Sequence, residues 1–190
     1  SSVLPMKLKI LLALGLAAGS LPGAETGFHF ADVNDQSLGL WEGARSVLVY
    51  NHGVIASTNA PADRARSSYV HPIYGLDGEV LTDDFPKDHY HHRGLFWSWP
   101  HVKSGETETD LWMLKGIHHQ FEGWLGREAM AAKAYLGVQN GWFIGDRKVV
   151  DEKVWLRVLP ATAEGRAMDV ELTWTPLKAP LTLRGAEGKS

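Results

Sequence analysis

Met168-Asp169-Val170-Glu171-Leu172-Thr173-Trp174 alternates apolar and polar side chains without a break. Side chains of an extended chain point alternately to opposite faces. Met168, Val170, Leu172 and Trp174 therefore share one face, and Asp169, Glu171 and Thr173 the other. A strand with one side in a core and the other in water reads this way. The preceding run repeats the pattern: Val150, Val154, Leu156 and Val158 line one face, with Glu152 the single polar residue among them. Farther upstream, from residue 28 onward, short β-rich runs are divided by turn signals about every ten residues, the spacing of a sandwich or barrel. Asp77-Gly78, Asn140-Gly141 and Gly145-Asp146 are read as turns, the first two able to supply the positive φ of tight hairpins. The expected fold is an all-β antiparallel sandwich in which successive strands are neighbours. The Ala-rich stretch 127–135 leaves open a helix of about two turns, favoured by propensity alone.

Composition narrows the function. The 190 residues carry 19 basic and 22 acidic side chains, a net charge of −3, with no run of either sign. A nucleic-acid surface announces itself as clustered Lys and Arg, so no nucleic-acid partner is expected. With no Cys, disulfides, thiolate nucleophiles and Cys-ligated zinc are excluded. Eight Trp call for a large aromatic core or a stacking surface.

The ends are distinctive. Met6-Lys7-Leu8-Lys9 is a basic start, followed by the apolar run 10–18 and small residues through Ala24. A secretory signal peptide has this layout. The apolar run is about nine residues, far short of the roughly 20 that span a bilayer, so no permanent membrane anchor is expected. A buried N-terminal helix is the alternative. Residues 1–24 are thus read as upstream residues and export signal, and 25–190 as one β-sandwich domain located in the periplasm or outside the cell. Leu181-Thr182-Leu183-Arg184 reads as a strand just begun, and the domain is expected to continue past residue 190.

Chemistry concentrates in residues 69–101, YVHPIYGLDGEVLTDDFPKDHYHHRGLFWSWPH, which hold five of the nine His. If the run 89–92 is extended, His89 and His91 share a face and His92 takes the other. Three readings stay open: a metal-free polar active site, a divalent metal on His89 and His91 with a third ligand from elsewhere, and a structural hydrogen-bond network. Histidine titrates near neutral pH, so His91 and His92 are the candidate acid/base pair, one of them facing the ligand, with Asp84 beside them. Arg93 is the candidate anion clamp, or else the salt-bridge partner of a neighbouring Asp. His71, Asp83 and His89 are candidate ligand contacts. So are Trp97 and Trp112, as stacking platforms or core residues, and Lys115 and His118 in the second polar cluster 110–119. No cofactor is required by this set. Phosphate-binding loops, zincin pairs and Gly-x-Ser-x-Gly elbows do not occur.

HPIYGLDGEVLTDDFPKDHYHHRGLFWSW (71–99), the block 112–119, NGWFIGDRKVVDEKVWLRV (140–158) and GRAMDVELTW (165–174) resemble the PmoA-like family of exported bacterial proteins. The run Asp-His-x-His-His-Arg-Gly-Leu is the most specific part. That family carries the automatic label "methane oxygenase PmoA", which implies an integral-membrane subunit; no segment after residue 24 is long and apolar enough to span, so methane oxidation is not expected. The resemblance implies a sandwich like that of galactose-mutarotase-like proteins, many of which bind or process sugars with His and carboxylate residues. The expectation is an exported carbohydrate-processing protein of epimerase, hydrolase or lyase type acting on a sugar or other small molecule. A non-catalytic carbohydrate-binding or scaffold protein and a His/carboxylate metalloenzyme are the alternatives.

Overall fold

Alternating strands bury their apolar faces by pairing sheet on sheet, and the computed structural model, which describes residues 6–13 and 27–186, shows three antiparallel sheets. The first holds five strands in the order β1 (Met6–Ala13), β11 (Gly165–Pro176), β10 (Arg147–Val158), β9 (Lys133–Ile144) and β8 (His118–Met130). The second runs β2 (Phe28–Asn34), β3 (Ser37–Glu42), β4 (Arg45–Asn51), β5 (Tyr69–Ile73), and the third β12 (Leu181–Arg184), β6 (His101–Ser104), β7 (Thr107–Thr109). Among the described residues there is no α-helix, only a 3-10 turn at Ala62–Arg64. β1 covers the start of the segment read as an export signal; the rest of that segment lies outside the described residues.

Register explains why the large sheets meet as they do. Val154 pairs with Leu172, Leu156 with Val170 and Val158 with Met168, so the apolar faces of β10 and β11 coincide. Leu38, Leu40, Leu48 and Tyr50 of the second sheet pack onto Leu136, Val138, Val154 and Leu156 of the first. Each such side chain removed from water contributes about 1.5–3 kcal/mol. A second apolar cluster, including Val102, Leu111, Ile117, Trp142 and Val150, joins the third sheet to the other end of the five-stranded one. The all-β sandwich expected from the alternation is thus the observed fold, with Met168, Val170 and Leu172 buried as read.

One open local reading is decided and one expectation is corrected. The Ala-rich stretch 127–135 is the tip of the β8–β9 hairpin, with Met130 paired to Lys133 and Ala129 to Ala134. Pairing there carries Ala134 and Leu136 into the core, a gain that overrides helix propensity. Asn140-Gly141 is not a turn but mid-strand in β9, opposite Glu152 and Asp151. Glycine serves close approach at this point: a Cβ on Gly141 would stand 2.5 Å from the Phe143 ring and 2.7 Å from Lys148 Cε. Asp77-Gly78 does form a turn, with φ +85° at Gly78, and Gly145-Asp146 closes the β9–β10 hairpin.

Candidate functional site

Between β5 and β6 the chain leaves the sheets and folds back on itself. Gly94 N–H donates to Asp83 O (2.8 Å) and Phe85 N–H to His92 O (3.3 Å), closing a narrow loop whose tip is 86–92. Only glycine fits at 94, where φ is +55° and a Cβ would lie 2.3 Å from Val70 O. The loop is tied down from inside by Arg93, which is fully buried. Its Nε donates to Asp84 Oδ1 (2.5 Å), Nη1 to Arg64 O (3.0 Å) and Nη2 to the Tyr69 hydroxyl (2.5 Å). The guanidinium carbon sits 3.6 Å from the Phe85 ring centroid and 4.5 Å from that of Tyr69. Tyr69 in turn donates to Asp84 Oδ2 (3.0 Å), and burial pushes its phenol well above the ordinary range. Arg93 and Asp84, expected as clamp and acid, are therefore partners of each other in the salt bridge that the sequence left as the alternative. The hydrogen-bond capacity of Arg93 is thus taken up by protein partners.

At the tip the expected alternation fails, because the run is turned rather than extended. His89 N–H donates to Pro86 O (2.9 Å) and His92 N–H to His89 O (2.8 Å). Turning brings all three imidazoles together. The ring centroids of His91 and His92 are 4.5 Å apart, His89 and His92 stack at 4.8 Å, and His89 and His91 lie at 5.6 Å. Both His91 (5.5 Å) and His92 (5.4 Å) flank the indole of Trp112, so adjacent His residues face one cluster instead of opposite sides. Phe96 completes it, 5.7 Å from Trp112 and 6.4 Å from His92.

Trp112 is presented by the turn 110–115, where Asp110 Oδ1 accepts from Met113 N–H (2.8 Å) and Asp110 and Lys115 exchange backbone bonds. Two arginines bind this turn from below. Arg64 Nη1 donates to Met113 O (2.8 Å), and Arg66 Nη2 to Leu111 O (2.6 Å) and Trp112 O (3.0 Å). Sequence reading missed Arg64, Arg66 and Phe96; nothing in Arg64-Ala65-Arg66 marks it apart from ordinary loop residues, since the turn it holds lies more than forty positions away.

Electrostatics follow from this arrangement. Burial, then His92, His89, Arg64 and Arg66, all push the His91 imidazole below the usual histidine range. Burial and His89 do the same to His92, opposed by Asp88. Both rings are thus neutral at neutral pH and free to accept a proton. Asp88, exposed beside His89 Nδ1 (3.0 Å), is held below the usual carboxylate range by its bond to His89. Among the described residues, no group of three or more His, Asp or Glu is arranged to hold a metal ion.

The remaining expected residues lie elsewhere. His71 Nδ1 is 2.9 Å from Thr82 Oγ1, its imidazole pushed down by burial against the upward pull of Asp84 and Asp83. Asp83 is exposed and accepts Asp84 N–H (2.8 Å). Lys115 is an exposed turn residue, and His118 stacks on Phe143 at 5.8 Å. Trp97, expected as a platform, is a core residue whose indole donates to Glu152 Oε2 (2.7 Å). Glu152, the polar interruption noticed in β10, is fully buried; its Oε2 also receives Trp142 (2.8 Å) and Trp174 (2.9 Å), and its Oε1 receives Asn140 (2.9 Å).

A family model described as a family of unknown function, DUF6807, matches residues 40–187, a span that includes the whole loop cluster. No curated protein and no solved structure matches the chain.

Proposed function

The chain belongs to this family of unknown function, and we propose that the cluster of His91, His92 and Trp112 is the ligand site of an exported carbohydrate-processing protein. The observation that carries the reading is the indole of Trp112 flanked by two neutral imidazoles at 5.4–5.5 Å. A pyranose offers an apolar C–H face and a rim of hydroxyls. An indole takes the first, while imidazoles exchange hydrogen bonds with the second. A neutral imidazole with lowered proton affinity is also a competent general base, and its neighbour a general acid once protonated. The likeness of the strand pattern to galactose-mutarotase-like sandwiches, many of which bind or process sugars, favours the same substrate class.

A binding-only protein is the second reading, favoured by one fact: Asp84 is locked to Arg93 and Tyr69, so the acid expected beside the imidazoles is not free to act. Calorimetry against a panel of mono- and oligosaccharides, followed by turnover assays on any sugar bound, separates the two. Trp112→Ala should weaken sugar binding by 10-fold or more by the loss of stacking, on the order of 1–3 kcal/mol. In a catalytic site His91→Ala or His92→Ala should cut turnover by about 10²–10⁴ with the sugar still bound; in a binding-only site wild type turns over nothing. Wild-type affinity for every sugar in Trp112→Ala and in a His91→Ala/His92→Ala double variant would sink both readings.

A further inference from the structure

Arg66 has a different fate from Arg93. It is 3% exposed, and its Nη2 is engaged by two carbonyls, yet its Nε and Nη1 lie buried with no hydrogen-bond partner. Buried polar atoms are almost always paired, and a buried cation without a counter-charge is among the most unfavourable arrangements a fold can hold. Burial and the nearby Arg93 pull its proton affinity down to about 9, which leaves it charged at neutral pH. Asp110 opposes this shift through its charge but makes no hydrogen bond to Arg66, and the other nearby acids have partners of their own. Asp110 accepts Met113 N–H, Asp84 is bound to Arg93, and Asp63 sits 3.3 Å from Arg64 in solvent.

This charge, opposed by Asp110, which is not hydrogen-bonded to it, lies against the cluster already described. The Arg66 guanidinium carbon is 4.8 Å from the Phe96 ring centroid, and Phe96 packs against Trp112 and His92. Arg64 grips the same turn through Met113 O, and both arginines act on His91. Two imidazoles flank the indole and two guanidinium groups hold its turn through main-chain carbonyls, with Asp88 the acid at the exposed tip.

We infer that this site takes its ligand by an oxyanion, a carboxylate, sulfate or phosphate group drawn by the buried Arg66 charge beneath Phe96 while the body of the ligand stacks on Trp112. The inference rests on the carbohydrate reading for the stacking half and on Arg66 for the anion half, so the favoured substrates are acidic sugars: uronates or sulfated or phosphorylated sugars. A charge set in protein is screened less than one in water, which makes the anion the main source of discrimination.

Calorimetry at fixed ionic strength with four probes tests it: glucose, glucuronate, glucose 6-sulfate and inorganic sulfate alone, on wild type, Arg66→Gln and Arg66→Lys, each checked for melting temperature. The expected result is glucuronate or glucose 6-sulfate binding at least 10-fold tighter than glucose, with that preference lost in Arg66→Gln and partly kept in Arg66→Lys. Which of the two acidic sugars wins tells a carboxylate site from a sulfate site. Should Arg66→Gln not fold, Arg64→Gln, which removes one bond to Met113 O, must show a reduced preference in its place. Equal binding of glucose and both acidic sugars overturns the inference and leaves the carbohydrate reading standing. Binding of sulfate but of no sugar, dependent on Arg66, overturns the carbohydrate reading and keeps the anion site. Binding of none of the four overturns both.

Discussion

Arg93 and Arg66 are both buried guanidinium groups at the base of one loop cluster, and their partners give them opposite consequences. Arg93 is compensated by Asp84, Tyr69 and the Arg64 carbonyl, so its removal leaves Asp84 without its cation and the loop without its inner strut. Arg93→Ala should therefore cost about 3–5 kcal/mol, read from urea denaturation, the penalty of breaking a buried pair. Wild-type stability with lost ligand binding would show instead that Arg93 serves the ligand. The sequence reading had offered both roles, because Arg93-Gly94 beside three Asp residues is consistent with either. What decided between them is long-range: Tyr69 sits twenty-four positions away and the Arg64 carbonyl twenty-nine. The facing of His91 and His92 was misread for a local reason. Alternation holds only in extended chain, and the donation from His92 N–H to His89 O folds that run into a turn.

At the scale of strands, the outer face of the five-stranded sheet is built around glycine. Trp155 of β10, 37% exposed, pairs with Gly137 of β9, and its indole also reaches within 3.6 Å of a Cβ placed on Gly126 of β8. One ring thus lies across two neighbouring strands. A Cβ on Gly137 would stand 2.4 Å from that ring. Gly137→Ala should therefore displace the indole and destabilise by about 1–3 kcal/mol, as overpacking does. In a Trp155→Ala background the same substitution should be neutral or stabilising, since glycine in a strand otherwise weakens it. A double-mutant cycle by denaturant unfolding measures this coupling; additive costs would refute the packing argument. β10 and β11 were legible because their period of two is unbroken. β8 and β9 were not, since Asn140-Gly141 reads as a turn and 127–135 leaves a helix open, while Gly126 and Gly137 become contact residues only once Trp155 of β10 lies over them.

For the whole molecule, the joint between its two apolar clusters is a charge. Trp97 belongs to the first cluster, Trp142 to the second, and Trp174 packs against both; all three indoles donate to Glu152 Oε2. Burial pushes the Glu152 carboxyl up, but His119, whose Nε2 stands at 3.6 Å, and the Asn140 and indole donors outweigh it and hold it below the usual range. A carboxyl depressed in the folded state contributes stability that is present above its unfolded value, about 4.3, and lost as pH falls through the folded one. His52, His71, His91, His92 and His118 are all pushed down, chiefly by burial. Their share is complete above about 6.5 and declines as pH falls from there toward their folded values. Acid unfolding should thus proceed in two windows, one loss beginning near pH 6.5 and a further one below about 4. Glu152→Gln separates them. An amide nitrogen placed among converging N–H donors cannot accept from them, so the variant should lose about 1–3 kcal/mol at pH 7 and show a shallower slope below pH 4, with the histidine window unchanged. Urea titrations followed by tryptophan fluorescence between pH 3 and 8 read both effects, and a variant with wild-type stability and acid slope would mean that the three indoles do not depend on a carboxylate to hold the two clusters together.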